Sequence, residues 1–204
     1  MNIHENLNWK GHMLDILTII QRNLAIVRKT ARFLNRNFLI QLYHSLILSH
    51  IRRGIIVWHH GNVALKKKIQ ACANKFLRLV FFLKPRESVR DIMKENNFHS
   101  VNQIYTIELA KVMQKHTLGC LPEPFSPIFK DQTRQTRINS RSAVNVIPAS
   151  TRFTKCDQAI RCTGPKAWNC LPRNLKLDTE NKPLRLGIFI PKLKQYALTS
   201  IDFI

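Results

Sequence analysis

The sequence predicts a mainly α-helical chain, with a helical bundle first and a less regular basic region, open to short strands, after it. Three observations carry that reading. Apolar residues recur every three or four positions through most of the first 120 residues, the period of helices with one buried stripe. Capping residues and glycines stand where such helices would start and stop. After Leu121 the period fades, and Pro122, Pro124 and Pro127 arrive within six residues. The expected organisation is a helical region over 1–120, a Pro-rich linker over 121–131 and a basic C-terminal region over 132–204.

The elements follow in order. Residues 1–9 read as an extended entry ending in Leu7-Asn8-Trp9. From about Lys10, the residues Met13, Ile16, Leu17, Ile20, Leu24, Val27 and Ala31 form one stripe, with Arg22, Lys29 and Arg32 roughly opposite. Asn35 to Asn37 offer a cap or turn, and a second helix is expected from near Phe38. It runs into an apolar hub over 42–58, LYHSLILSHIRRGIIVW. Leu42, Leu46 and Ile47 recur there at helical spacing, with Tyr43 and His50 on the same side. Arg52-Arg53 and Gly54 break the hub before Ile55-Ile56-Val57-Trp58.

His59-His60-Gly61-Asn62 reads as a loop. The next helix puts Leu65, Ile69, Ala73, Phe76 and Val80 inside and Lys66, Lys67, Lys68, Lys75 and Arg78 mostly outside, with Lys84-Pro85 as its stop. Ser88 with Asp91 is a capping-box pattern opening a short helix over 89–96. Ser100 with Gln103 repeats it for a helix over 101–117 that Gly119 ends. Beyond the prolines, Val144, Val146 and Ile147 precede Pro148 in a polar, basic stretch that suits short strands or irregular chain. Gly164-Pro165-Lys166-Ala167-Trp168-Asn169-Cys170-Leu171-Pro172 reads as a turn, one helical turn and a stop. The tail over 182–198 suits a helix except where Gly187 and Pro191 interrupt it.

Charge is the strongest clue to function. Lysine and arginine number 33 against 12 aspartates and glutamates, a net +21 over 204 residues. Residues 1–80 carry +11, residues 81–120 only +2 and residues 121–204 +8. Such a field attracts polyanions and repels itself. Cys72, Cys120, Cys156, Cys162 and Cys170 are odd in number and lack short paired spacings, which points to reduced thiols and away from a zinc site. The N-terminus lacks signal-peptide architecture, and the hub is too short and too interrupted to cross a membrane. A soluble nuclear or cytoplasmic protein is expected, with no cofactor, metal, small-molecule substrate or membrane partner.

Taken in order, four stretches resemble the C-terminal part, thumb and post-thumb, of non-LTR (LINE-type, jockey-like) retrotransposon reverse transcriptases. The first is Leu7-Asn8-Trp9-Lys10 with His12. The second is Leu42-Tyr43-x-Ser45-Leu46-Ile47 leading to Gly54-Ile55-x-x-Trp58. The third is Lys68-Ile69-Gln70 followed by Ala73 and Ser88-Val89. The last is Thr136-Arg137 with Gly164-Pro165-Lys166-x-Trp168-Asn169-x-Leu171-Pro172. The resemblance implies a thumb-like helical bundle that grips RNA or DNA template-primer. It does not bring polymerase activity: the family's Tyr-x-Asp-Asp loop, whose carboxylates hold two metal ions, has no counterpart in this sequence. Departures also stand at Ser49-His50, Arg52-Arg53, His59, Gly187 and Pro191.

Lys66, Lys67 and Lys68 with Lys75 and Arg78 make the best phosphate-binding candidate, because cations on one helix face neutralise a backbone without reading sequence. Arg22, Lys29 and Arg32 form a second patch. Arg52 and Arg53 fit a phosphate contact and a helix-dipole partner equally well. Lys166 and Trp168 are carried as further nucleic-acid candidates. Trp9 and Trp58 could stack on bases, though the apolar run before Trp58 favours the core. His59-His60 is a poor chelate, since adjacent side chains diverge in regular structure. The expected function is non-sequence-specific binding of nucleic acid, an RNA–DNA hybrid or template-primer, by a reverse-transcriptase fragment that is not an enzyme on its own. The alternatives are a non-functional retroelement relic or structural protein without a nucleic-acid partner, and a basic amphipathic membrane binder.

Overall fold

The computed structural model describes residues 9–132, 146, 148, 158–178 and 182–199. It divides into two compact units, Met1–Tyr105 and Thr106–Ile204. The described regular structure is helical, apart from one antiparallel bridge between Leu177 and Pro183.

The first unit opens with α1 (Lys10–Thr30), whose buried side chains include Met13, Ile16, Leu17, Ile20, Leu24 and Val27, the stripe read from spacing. A 3-10 turn (Ala31–Phe33) leads to Asn35, whose Oδ1 accepts the Phe38 N–H at 2.8 Å and starts α2 (Arg36–Tyr43). A π-helical stretch (His44–Leu48) joins α2 to α3 (Ser49–Arg52). This stretch corrects the hub's buried face. Leu39, Tyr43, Ile47, Ile51 and Ile55 are buried, whereas Leu42 and Leu46 are only half-buried. Steps of four overshoot an α turn by about 40° each. The wider π turn takes up that drift and keeps the five side chains in line.

Gly54 takes φ +67°, ends the run and permits the short α4 (Ile55–Trp58). Trp58 is fully buried, and its indole N–H donates to the Arg53 carbonyl at 3.1 Å. Asn62 then caps α5 (Val63–Val80), accepting the Leu65 N–H at 3.0 Å. Helices α1 and α5 form the main contact of the unit, and they run in parallel. At their starts, a Cβ on Gly61 would sit 3.0 Å from Met13 Sδ and 2.9 Å from the Trp58 carbonyl oxygen. At their ends, the Arg36 guanidinium lies 5.4 Å from the ring centroid of Phe81. Phe76 and Phe98 close the core on Tyr43, at centroid distances of 5.7 and 5.0 Å.

After α5 comes α6 (Arg90–Glu95), which starts one residue later than the cap pattern indicates. Ser88 Oγ accepts the Arg90 N–H at 3.3 Å, so the serine serves the second residue along and not the third. Ser100 and Gln103 do form a reciprocal box at 2.8 and 3.3 Å ahead of α7 (Val101–Thr117).

The second unit takes the C-terminal part of α7, a 3-10 segment (Glu123–Gln132), α8 (Ile160–Cys170), α9 (Arg173–Lys176) and α10 (Leu186–Thr199). Its core gathers Ile107, Ala110, Met113, Phe129, Trp168, Phe189 and Leu193. The boundary therefore falls at 105/106, not at Leu121. The Pro-rich stretch is also no free linker: Phe129 is buried, and Leu121 and Ile128 pack on the same core. Two further readings are corrected. Gly164 and Pro165 lie inside α8, where a Cβ at 164 would stand 2.8 Å from Met113 Sδ. Gly187 and Pro191 lie within a continuous α10. The helix persists because Phe189, Leu193 and Ala197, spaced by four, are buried, while Gly187 and Pro191 face solvent. Most of the stretch read as short strands lies outside the described residues. There, Asn169 bonds both the N–H and the carbonyl of Val146, at 3.0 and 2.8 Å.

Helices α5, α6 and α7 end alike. A residue with positive φ follows each, and the next amide bonds back to a carbonyl of the last turn: Leu83 to Arg78 at 2.9 Å, Phe98 to Met93 at 2.8 Å and Cys120 to Lys115 at 2.8 Å. Gly119 and Asn97 suit that conformation, whereas Phe82, at φ +53°, does not. Phe82→Gly is expected to raise the stability of the first unit by about 1 kcal/mol, read by denaturant unfolding. An unchanged or lower midpoint would mean that the exposed ring contributes packing worth more than the strain.

Candidate nucleic-acid interface

The two helices that build the first core also carry the charge. From residue 16 to residue 86 the chain has fourteen lysines and arginines and no aspartate or glutamate. Twelve of the fourteen are exposed, and Lys66 and Arg78 are the half-buried pair. Arg22, Lys29 and Arg32 project from α1 and the turn behind it, joined by Arg28 and Arg36. Lys67, Lys68 and Lys75 project from α5, and Arg52 and Arg53 from the end of α3. Asp15, near the start of α1, is the one carboxylate within these elements, so their net potential is strongly positive.

The neighbours of the candidates sort them further. Lys66 does not share the solvent-facing role of Lys67 and Lys68. One residue is about 100° of helix, which turns Lys66 towards the core, with Nζ 3.3 Å from His59 Nε2. Burial holds its pKa below the usual lysine value. Arg78 is engaged as well: its Nε donates to the Glu87 carbonyl at 2.9 Å and ties down the chain beyond α5. Burial raises the Tyr43 phenol and Arg52, close by, partly opposes it, leaving the pKa at about 12. In the second unit Lys166 is exposed on α8, whereas Trp168 is fully buried, with its ring 6.0 Å from Phe189 and the Lys176 ammonium 5.4 Å from its centroid. Trp168 is therefore a core anchor with no face for a base, which corrects its reading as a nucleic-acid contact. Trp58 is likewise core. Among the described residues, no three His, Cys, Asp or Glu side chains group as a metal site; Cys156 lies outside them.

A polar cluster that spacing did not reveal lies behind Lys66. The His59 ring stacks on Tyr105, with centroids 3.9 Å apart and planes 6° apart. Its Nε2 faces both Asn102 Oδ1, at 3.1 Å, and Lys66 Nζ, while His60 Nε2 lies 2.8 Å from the Tyr105 hydroxyl. The two histidines thus converge on one tyrosine instead of diverging. His59 Nδ1 is buried without a hydrogen-bond partner. If Nε2 accepts from Lys66, the ring proton sits on that orphan nitrogen; if Nε2–H donates to Asn102, Lys66 loses its acceptor. Burial, chiefly, pushes the His59 pKa down to about 4, with Lys66 and His60 adding to the shift and the Asn102 bond opposing it. His60 is lowered too, by burial and then by Lys66. Asn102 and Tyr105 come from α7, more than 40 residues along the chain, and only Lys66, seven residues on, is near in sequence, so no local motif marks the cluster.

No family model, curated protein or solved structure matches the chain.

The pH dependence follows from His59. A histidine held neutral stabilises the fold fully above its unfolded pKa of about 6.5, and that contribution is lost as pH falls towards 4. Between pH 7 and pH 5 the first unit is expected to lose on the order of 1–2 kcal/mol through this residue. His59→Gln should flatten that slope in denaturant titrations at the two pH values. An equally steep slope in the variant would place the acid sensitivity elsewhere.

Proposed function

We propose that this chain is a non-sequence-specific nucleic-acid-binding module, and that its first unit grips the phosphate backbone of an RNA–DNA hybrid or template-primer. The observation that carries the reading is the acid-free stretch over residues 16–86, with its twelve exposed cations on packed helices. Lys67, Lys68 and Lys75 rise from the outer side of α5, Arg22 and Lys29 from the back of α1 and Arg32 from the turn after it. They are held by the same core, so their spacing is fixed before a polyanion arrives, and little side-chain-independent ordering is needed on binding. Arg52 and Arg53 extend the surface at the end of α3. Lys166, exposed on α8, is an accessory contact. The residues that resemble the thumb of a LINE-type reverse transcriptase fit this role, in which the chain holds nucleic acid and supplies no polymerase chemistry. Among the described residues no helix is long and apolar enough to cross a membrane.

The test is the affinity of the chain for an RNA–DNA hybrid across a salt series. Log K is expected to fall linearly with log salt, by roughly 0.9 for each phosphate neutralised on a duplex. Replacing Lys67, Lys68 and Lys75 together by Gln should lower that slope by up to about 2.7. It should leave helical content unchanged, because all three side chains are exposed. A flat salt dependence, or no binding at low salt, would sink the proposal in favour of a relic with no partner of its own.

A further inference from the structure

The most exposed large apolar side chain described is Phe33, at 80 %, and Phe82 follows at 64 %. A phenylalanine so exposed contributes little to the core it hangs from. Both stand at the same end of the first unit. Phe33 lies three residues past α1 and Phe82 two residues past α5, and these helices are parallel with their C-terminal ends together. Arg36 links the two places: it follows Phe33 by three residues, and its guanidinium packs over Phe81, the neighbour of Phe82. Each ring has cations beside it. The Arg32 guanidinium sits 5.7 Å from the Phe33 centroid, and exposed Lys84 and Arg86 follow Phe82.

Phe82 also holds a left-handed backbone conformation that the same chain elsewhere assigns to Asn97 and Gly119. An exposed aromatic in a left-handed conformation carries backbone strain, and such strain concentrates where a side chain must be presented. Aromatic faces set among arginines and lysines, which outnumber the one nearby carboxylate, Glu87, whose Oε2 accepts the Lys84 N–H at 3.1 Å, have the chemistry of a base-stacking platform. Every base offers a π face to the ring and a phosphate to the flanking cation. A protein partner would be met here by an excess of positive charge, Arg32, Arg36, Lys84 and Arg86 against Glu87. A duplex keeps its bases stacked inside and leaves nothing for the rings to take.

We infer that the end of the first unit bearing Phe33 and Phe82 binds single-stranded nucleic acid, with unpaired bases stacked on the two rings and the intervening phosphates on Arg32, Arg36, Lys84 and Arg86. This rests on the nucleic-acid reading above and adds to it a place where the strand leaves the duplex. The cationic sides of α1 and α5 carry paired backbone, and their common end takes the unpaired overhang.

The experiment compares end-labelled oligo(dT) with an abasic oligomer of equal length and charge, titrated into the full chain and into Phe33→Ala, Phe82→Gly and the double variant. The wild-type chain is expected to bind oligo(dT) about tenfold or more tighter than the abasic strand. Each single variant should reduce that preference, and the double variant should abolish it. Affinity for a blunt duplex and its salt slope should stay unchanged in all three. Both side chains are exposed, and the glycine relieves the positive φ at 82, so unfolding is not a competing explanation; circular dichroism checks it. Equal binding of dT and abasic strands by the wild type, or a preference that survives in the double variant, overturns this inference while the backbone grip stands. Failure to bind any strand or duplex at low salt overturns both readings.

Discussion

The packing of α1 on α5 is the constraint from which the rest of the first unit follows. Met13, Ile16, Ile20, Leu24 and Val27 on one helix meet a face of Leu65, Ile69, Ala73, Phe76 and Val80 on the other. Burying side chains of this kind stabilises by about 1.5–3 kcal/mol each before entropy is counted. That gain must hold together two helices whose solvent sides carry a strong excess of positive charge. Gly61 shows how closely the chain is drawn in at the start of the pair, since a Cβ there would press on the Trp58 carbonyl and Met13. Because the helices are parallel, everything that follows their C-termini is delivered to one place. That includes the Ala31–Phe33 turn, Arg36, Phe81 and Phe82.

How much of this was legible in the sequence depends on the range of the interaction. The α1 stripe, the α5 stripe and the cap before α7 are local, and spacing alone identifies them. The hub face was misassigned at Leu42 and Leu46 because a π-helical stretch shifts the phase by a fraction of a turn, and no residue type announces it. The second unit was harder still. Gly164, Pro165, Gly187 and Pro191 are breakers by local rules, but Trp168, Phe189 and Leu193 give their helices a shared core to pack into, and packing overrides propensity. The prolines after Leu121 marked a real change of texture, yet Phe129 brings that segment into the core instead of leaving it as a linker.

The same distinction governs the candidate site. A run such as Lys66-Lys67-Lys68 counts three charges in sequence, but helical geometry divides it. Lys67 and Lys68 face water, while Lys66 serves a cluster with His59, Asn102 and Tyr105. Arg78 is similarly drawn off to the Glu87 carbonyl. The opposite error applies to Arg28 and Arg36, which spacing did not single out and which the helix ends expose. The usable cationic surface is thus similar in size to the one expected but differently composed, and it extends further towards the C-terminal end of α1.

That shift gives the aromatic residues their meaning. Had the charge been centred on Lys66, the surface would lie over the starts of α5 and α1, near a cluster in which burial disfavours the charged form of His59 and His60. Its actual extent past Arg28, Lys29 and Arg32 reaches the end where Phe33 and Phe82 stand exposed. A stripe of cations alone can track a backbone, and it stops discriminating paired from unpaired strands. In the proposed reading, exposed rings at the end of the stripe add that discrimination, because only an unpaired base can leave its neighbours and stack on them. The strained φ at Phe82 fits such a division of labour: the helix end is held by the same backbone bonds that close α6 and α7, and the residue in it is chosen for what it presents.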